Sequence, residues 1–218
     1  MKQVISLDFW GTVVVFNPEY AKARTAFLAE LFELPSDEAH ARYQYIKRKC
    51  DYDAEHFGTA VSPLVAVKRL LEGQKTTRVT NAVEVLDAIN QMVRDHPPLI
   101  GDGILGSILE LTHYKGFIVG LSSNTNFIRG QMVQDLLGFD VAFSVNSDEI
   151  GVSKPDPDFY RMVRKAGENC GGSGFLHIGD NSVCDVRGAQ RAGMQAMLTK
   201  SPKETVRILD DLAKRGYF

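Results

Sequence analysis

The chain has 218 residues, of which 44% are hydrophobic and 24% are charged, as in a globular protein with a buried core. Its 25 basic and 27 acidic residues give a net charge of −2 without long runs of one sign, which argues against nucleic acid or a membrane surface as the main partner. No apolar run approaches the ~20 residues of a membrane span, and the first residues lack the features of a secretory signal. Three widely spaced cysteines fit neither a disulfide framework nor a zinc site, so we expect a cytoplasmic protein.

Short apolar runs at the start of the chain and again after residue 98 predict buried strands. The first run covers residues 4–7 and ends at Asp8. The later runs lie at 117–121, 141–145, 175–178 and 195–198. Apolar residues at helical spacing lie between them, at 127–137 and at 159–166. This alternation predicts right-handed βαβ units in an open α/β sheet whose strands are parallel and buried on both faces.

Residues 17–97 interrupt the alternation, because this stretch is charged, rich in helical patterns and without a convincing strand. The patterns predict four helices, at 20–34, 37–51, 64–72 and 79–93. Turn signals at Pro18 and at Pro97 mark the entry and the exit. We therefore predict two domains, an α/β core of residues 1–16 plus 98–218 and an all-helical insertion of residues 17–97.

Polar side chains follow the predicted strands at the points where the strands end. In an open parallel sheet these ends meet at one crevice, and ligands bind there. The polar residues at these ends are Asp8, Thr12, Ser123, Asn124, Lys154, Asp180 and Asp185. Each of them alone has an ordinary explanation as a helix cap, a turn residue or a solvated lysine. Their common place at one edge of the sheet instead predicts a functional site.

This ordered set resembles the haloacid dehalogenase-like hydrolase superfamily, whose members are mostly phosphatases. The resemblance covers residues 1–14 and 98–218, where the stretches KPDPDFY and HIGDNSVCDVRGAQRAGM are the most specific. The matching motif residues are Asp8 with Thr12, Ser123 with Asn124, Lys154, and Asp180 with Asp185. The resemblance implies a Rossmann-like core, and it implies that residues 17–97 form a helical cap of the C1 type that covers the crevice and sets substrate preference.

The resemblance also implies how a phosphorylated substrate would react. Asp8 would be the nucleophile and would form an aspartyl-phosphate. Ser123 and Lys154 would hold the phosphoryl oxygens, and Lys154 would ease the approach of an anion to Asp8. Asn124 and Thr12 are further candidates for substrate binding, although Thr12 is better suited to ordering the turn after Asp8. The expected partner is therefore a small phosphorylated, anionic substrate.

The expected cofactor is Mg²⁺. By the resemblance, Asp8 and Asp180 would bind the ion directly, Asp185 would bind it directly or through water, and the backbone carbonyl of Trp10 would complete the protein ligands. Few protein oxygens and several waters suit Mg²⁺. Charge counting supports a cation independently, because three carboxylates beside the single ammonium of Lys154 would force one carboxylate to take up a proton.

One residue departs from the pattern of the resembled phosphatases. They carry a second aspartate two residues after the nucleophile, which protonates the leaving group, whereas this chain has Trp10 in the motif DFWGT. Loss of such an acid costs typically ~10²–10⁴-fold in rate. We favour a Mg²⁺-dependent phosphatase that is weak, obtains its acid elsewhere, or uses a leaving group that needs no proton, such as that of an acyl phosphate.

Two alternatives stay open. A 2-haloacid dehalogenase also has a nonacidic, often aromatic residue at the Trp10 position, but it lacks the carboxylate of Asp180. A noncatalytic protein could keep the pocket for binding phosphate and metal. Among the other candidates, we expect His177 to be structural and most basic and aromatic residues of the helical insertion to form a solvated face. Those residues are Arg24, Tyr43, Lys47, Arg48, Lys68 and Arg69.

Overall fold

A five-stranded parallel sheet forms the centre of the computed structural model, which describes residues 2–77 and 81–217. The strands in these residues are β1 (Lys2–Leu7), β2 (Val14–Val15), β3 (Leu99–Ile100), β4 (Ile118–Ser123), β5 (Ser144–Asn146), β6 (Gly172–Gly179) and β7 (Gln195–Leu198). The parallel sheet has the order β5-β4-β1-β6-β7. The predicted α/β fold with a Rossmann-like parallel sheet is confirmed.

The central strand β1 is buried on both faces. Val4 packs into one apolar cluster, whereas Ile5 and Leu7 pack into another on the opposite face, because successive residues of a strand point in opposite directions. Ser6 points to the same face as Val4, and its hydroxyl donates to Oγ of Ser122 on β4 at 2.9 Å. The strand ends at Leu7, directly before Asp8, and it pairs with β4 on one side and with β6 on the other.

Four helices lie between β2 and β3. They are α1 (Pro18–Phe32), α2 (Ser36–Phe57), α3 (Pro63–Leu71) and α4 (Ala82–Asp95). The side chains of Asn17, Ser62 and Asn81 accept hydrogen bonds from the first turns of α1, α3 and α4, which explains where these helices begin. Their buried apolar faces form a cluster of their own. The four predicted helices are present in the predicted order, but α2 continues six residues past its predicted end at residue 51. Asn81 of the predicted fourth helix caps α4, and residues 79 and 80 lie outside the described residues. The proposed domain boundaries stay a prediction.

The remaining helices flank the sheet. They are α5 (Ile104–Leu109), which continues into a π-helical turn (Glu110–Tyr114), α6 (Gln131–Asp135), α7 (Ser147–Ile150), α8 (Pro157–Asn169), a second π-helical turn (Ser182–Arg187), α9 (Gly188–Arg191) and α10 (Pro202–Arg215). The helix predicted at 159–166 is confirmed by α8. Among the described residues, no helix combines the length and the apolar character that crossing a bilayer requires.

The sequence analysis missed a short antiparallel ribbon at the base of the helical insertion. Val14 of β2 pairs with Ile100 of β3, and Val15 pairs with Leu99. Each strand has only two residues, too few for a hydrophobic period to be recognised. The ribbon joins the chain entering the insertion to the chain leaving it.

The helix predicted at 127–137 is wrong over its first half, because only α6 (Gln131–Asp135) is helical. Phe127 and Ile128 instead lie in a loop. The buried side chain of Asn90 on α4 donates to the carbonyl of Phe127 at 3.2 Å and accepts from the amide of Arg129 at 3.0 Å. These bonds hold the loop backbone in place of helical bonds, and Phe127 packs on Tyr43 with ring centroids 4.6 Å apart.

Candidate active site

A cavity of about 460 Å³ lies between the carboxyl ends of β1, β4 and β6 and the inner face of α2. Its volume is within the ~300–1,000 Å³ usual for a site that binds small molecules. Among the predicted site residues, those lining the cavity are Asp8, Trp10, Asn124, Lys154, Asp180 and Asp185. Five of these residues come from the strand-end prediction and Trp10 comes from the resemblance, and together they bring four separate stretches of the chain to one cavity.

Lys154 stands at the centre of the polar cluster and is almost wholly buried. Its Nζ donates to Oδ1 of Asp8 at 2.5 Å, to Oδ1 of Asp185 at 2.7 Å and to the carbonyl of Ser122 at 3.2 Å. The side chain of Asn124 accepts from the Lys154 amide at 2.9 Å and donates to its carbonyl at 3.0 Å. Asn124 therefore positions the lysine backbone, a contact distinct from its predicted role in binding substrate.

The two carboxylates that share Lys154 have opposite electrostatic environments. Burial raises the pKa of Asp8 to about 7, although Lys154 partly offsets this, and the neighbouring charge of Asp185 adds to it. Burial also opposes ionisation of Asp185, yet Lys154 and His177 hold its pKa well below the usual range. Burial disfavours the charged form of Lys154, but Asp185 and Asp8 together raise its pKa. Lys154 is thus a fixed positive charge in this site.

Asp8, Asp180 and Asp185 each offer a carboxylate oxygen, and these oxygens lie within 4.8 Å of one another. Burial, followed by the charge of Asp185, raises the pKa of Asp180, so the cluster is short of positive charge. Gly11, at φ +78°, passes so close that a Cβ there would collide with the Asp180 carboxylate. Hard, anionic oxygens in this number fit a divalent cation such as Mg²⁺.

The hydrogen bonds of the site oxygens indicate which of these oxygens could bind a metal ion directly. Oδ2 of Asp185 accepts from the Asn181 amide at 2.8 Å, so both of its oxygens already have protein donors. Among the described residues, no hydrogen bond reaches Oδ2 of Asp8 or the carbonyl oxygen of Trp10. Asp8, Trp10 and Asp180 therefore suit direct ligation better than Asp185, which suits contact through water.

A family model described as a haloacid dehalogenase-like hydrolase matches residues 2–193. The chain belongs to this family. No curated protein matches the sequence. Sequence identity to the similar solved structures is below 20%, so they bear on the fold of this hydrolase alone.

Three of these structures show how widely the fold is shared. The putative HAD-hydrolase YfnB from Bacillus subtilis, bound to magnesium, has 18% identity and a TM-score of 0.65, with 96% of this chain and 99% of that chain covered. A 2-haloacid dehalogenase from Pseudomonas syringae pv. Tomato has 19% identity and a TM-score of 0.63, with coverage of 99% and 100%. A HAD family enzyme from Bacteroides thetaiotaomicron, in complex with magnesium and inorganic phosphate, has 17% identity and a TM-score of 0.58, with coverage of 92% and 96%.

Two predicted site residues of the hydrolase lie outside the cavity wall. Ser123 is fully buried at the end of β4, where its hydroxyl lies 3.5 Å from the carbonyl of Asn124. Thr12 is fully buried in the turn after Asp8, and its hydroxyl has no hydrogen-bond partner among the described residues. Backbone bonds to the carbonyl of Phe9 close this turn. The predicted contacts of Ser123 and Thr12 with substrate stay predictions.

His177 has a contact that the sequence analysis missed. It is fully buried in β6, with Nε2 3.1 Å from Oδ1 of Asp185 and Nδ1 3.3 Å from Oγ of Ser6. Burial lowers its pKa, although Asp185 acts in the opposite direction. His177 therefore orients Asp185 from beneath the cavity. Ser6 and His177 are paired residues of the adjacent strands β1 and β6, a register that becomes visible only in the structure.

One face of α2 supplies the opposite wall of the cavity. Its residues there recur every four positions, at Tyr43, Lys47, Asp51 and Glu55. Nζ of Lys47 lies 2.6 Å from Oδ2 of Asp51. The side-chain amide of Asn126 donates to the carboxylate of Asp51, and the side-chain amide of Asn181 donates to the carboxylate of Glu55, each at 2.7 Å. Asp51 and Glu55 were missed, because the predicted second helix ends at residue 51 and Glu55 lies beyond it, whereas α2 runs on to Phe57.

Proposed function

We propose that this hydrolase is a Mg²⁺-dependent phosphatase of a small phosphorylated metabolite, acting through an aspartyl-phosphate on Asp8. The observation that carries the proposal is the cluster of three carboxylates, from Asp8, Asp180 and Asp185, beside one buried ammonium. Such a cluster can accept a phosphoryl anion only when a cation balances the negative charge of the carboxylates. The similar structures that contain magnesium or phosphate support this assignment by analogy.

Asp8 would attack phosphorus as its carboxylate. The bond between phosphorus and the leaving oxygen would break, and its electron pair would depart with that oxygen. Water would then attack the aspartyl-phosphate, releasing inorganic phosphate and restoring Asp8. Lys154, already 2.5 Å from Asp8, would offset the negative charge of the incoming phosphoryl group.

Mg²⁺ would be held by Asp8, Asp180 and the Trp10 carbonyl, with Asp185 in support. When bound, the ion would neutralise carboxylate and phosphoryl charge. The helical insertion would act as the cap over the crevice, because α2 lines the cavity opposite the strand ends. That placement would exclude water from the reacting groups.

A 2-haloacid dehalogenase is the second candidate, and Trp10 is the observation that favours it. Halide leaves without a proton, so a dehalogenase needs no acid at position 10 and an indole there would not slow the reaction. The carboxylate of Asp180, within 4.8 Å of Asp8, argues for the phosphatase instead. A noncatalytic binding protein is the third candidate, since the same cavity could retain phosphate and metal without turnover.

The experiment that decides among the three is a panel of phosphate monoesters and acyl phosphates, assayed with Mg²⁺ and with a chelator. A phosphatase releases phosphate only with Mg²⁺, and Asp8→Asn abolishes the release. Halide release from a 2-halocarboxylate in chelator would instead identify a dehalogenase. Saturable binding of Mg²⁺ and phosphate without turnover at high enzyme concentration would identify a binding protein.

A further inference from the structure

We infer that the substrate is an aryl phosphate, a phosphorylated phenol whose ring carries no charged group and occupies the aromatic part of the cavity. The inference rests on the proposed function and adds the class of the leaving group. Three independent observations carry it: an apolar wall beside Asp8, the absence of a free proton donor among the described lining residues next to Asp8, and the charge of the wall formed by α2.

The apolar wall begins directly after the nucleophile. Trp10 and Phe16 both line the cavity, and their rings lie parallel at 7° with centroids 4.2 Å apart. Phe16 is 44% exposed and the neighbouring Val15, which also lines the cavity, is 43% exposed, so both leave apolar surface open to solvent. A planar ring on this surface would gain burial and stacking that a polyol would not. The surface therefore favours an aryl group.

The described lining residues next to Asp8 offer no side chain placed to protonate a leaving group. The indole of Trp10 has no proton to give at neutral pH. The thiol of Cys184 already donates to the carbonyl of Lys154 at 3.5 Å, and the buried ring of Tyr43 packs on Phe127. Lys154 is engaged by two carboxylates. Within the described lining, a leaving group would therefore depart as an anion, and phenols lose their proton near pH ~10, as tyrosine does.

The α2 wall disfavours a second negative charge on the substrate. Asp51 and Glu55 bring two carboxylates to the cavity, whereas Lys47 is the one basic residue that α2 contributes to the described lining. Its ammonium is already paired with Asp51 at 2.6 Å. A substrate with a carboxylate or second phosphate would meet net negative charge there, so the ring should be uncharged.

The step balances without a further reactant. The Asp8 carboxylate forms a bond to phosphorus as the bond from phosphorus to the aryl oxygen breaks, and the electron pair leaves on the phenolate. The phenolate takes its proton from bulk water after release. Water then cleaves the aspartyl-phosphate, and its extra proton goes to solvent.

The test compares phenyl phosphate with benzyl phosphate, whose leaving alcohol has a pKa close to that of water itself, roughly 15.7. We expect kcat/KM to be at least about 10²-fold higher for phenyl phosphate, the smallest gain that a positioned acid usually brings. Acetyl phosphate serves as the ring-free reference. If acetyl phosphate is hydrolysed but phenyl phosphate has no such advantage over benzyl phosphate, the inference is overturned and the proposed function stands. If no substrate releases phosphate, both fail.

Three variants separate the contribution of stacking from that of proton donation. Phe16→Ala should lower the ratio of kcat/KM for phenyl phosphate to that for acetyl phosphate about three- to tenfold, because stacking is lost. Tyr114→Ala removes an exposed ring outside the cavity and should leave this ratio unchanged. Glu55 is the competing proton donor, and Glu55→Gln should not change the ratio of phenyl to benzyl phosphate. A larger ratio in Glu55→Gln, or an unchanged phenyl to acetyl ratio in Phe16→Ala, would overturn the inference.

Discussion

The ammonium of Lys154 lies 2.5 Å from the carboxylate of Asp8, and the two side chains are only 2% and 10% exposed. The same ammonium contacts Asp185, whose side chain is 2% exposed. Two charges buried in this way have lost most of their hydration, so each depends on the opposite charge for stabilisation. Lys154 therefore has a structural role as well as the proposed catalytic one.

The first prediction concerns the loss of that charge. We expect Lys154→Met to lower the free energy of unfolding by about 3–5 kcal/mol, because two buried carboxylates lose their partner. We also expect phosphate release to fall at least about 10²-fold. Urea denaturation in chelator and a phosphate assay with Mg²⁺ measure the two effects.

Lys47→Met is the matched control for stability. Lys47 pairs with Asp51 at a similar distance, but these side chains are 34% and 40% exposed. After allowance for solvent screening, an exposed pair contributes under about 1 kcal/mol. Equal losses of stability in the two variants would contradict the burial argument.

The second prediction concerns pH. Asp8 has a pKa of about 7 in the folded protein against 3.8 as its ordinary value, so the folded chain keeps this proton at higher pH. Protonation of Asp8 thus stabilises the fold fully below pH 3.8, and this contribution is lost as the pH rises through about 7. Each unit of pKa difference corresponds to about 1.4 kcal/mol.

Asp8→Asn isolates this contribution. In chelator, the wild-type free energy of unfolding should decline more steeply between pH 3.8 and about 7 than that of Asp8→Asn. His177 and Asp180 are present in both proteins, so the difference between the two curves reports on Asp8. Parallel curves would show that the Asp8 pKa is close to its ordinary value.

Much of the polar cluster was predictable from sequence because strand ends converge. Asp8, Lys154 and Asp180 each follow a strand-like run or its connecting loop, and parallel strands bring such positions to one edge whatever the details of packing. Their chemistry could also be anticipated, since clustered carboxylates need a cation or a proton. Neither inference required the position of any helix.

Other parts of the site depend on contacts between distant residues, and no local pattern encodes them. The loop at Phe127 is held by Asn90, which lies 37 positions away in the chain. The contact of His177 with Asp185 requires the ring to point beneath the cavity, which the strand pattern alone leaves open. The two-residue strand β2 is defined by its partner β3, and it has too few residues for a period.

The third prediction tests the glycine beside the metal ligands. Gly11→Ala would place a methyl group against the Asp180 carboxylate, so we expect Mg²⁺ affinity to fall about 10- to 100-fold, as when a residue supporting a metal ligand is lost. Isothermal titration with Mg²⁺ measures the affinity directly.

Gly73→Ala is the control, because Gly73 has a similar φ of +69° and no described residue has an atom within 4 Å of a Cβ placed there. Both variants carry the backbone strain of a left-handed residue, which costs about 1–3 kcal/mol of stability. Only Gly11→Ala should weaken Mg²⁺ binding. Equal affinities in the two variants would place the ion away from Asp180.

The fourth prediction concerns the missing acid. Trp10→Asp would put a carboxyl group two residues after Asp8, in a cavity where its neighbours Phe9 and Phe16 now pack on the indole. If protonation of the leaving group limits the rate, hydrolysis of benzyl phosphate should rise about 10²-fold or more. Phenyl phosphate should gain far less, because its leaving group departs without a proton.

Trp10→Phe separates the new acid from the lost indole. It keeps an aromatic ring against Phe16 but supplies no proton, so benzyl phosphate should remain as slow as in the wild type. Circular dichroism and Mg²⁺ titration establish that each variant is folded and retains its metal site. If folded, Mg²⁺-binding Trp10→Asp hydrolyses benzyl phosphate no faster than Trp10→Phe does, the residue at position 10 does not limit the rate, and the barrier lies in attack by Asp8 or in breakdown of the aspartyl-phosphate.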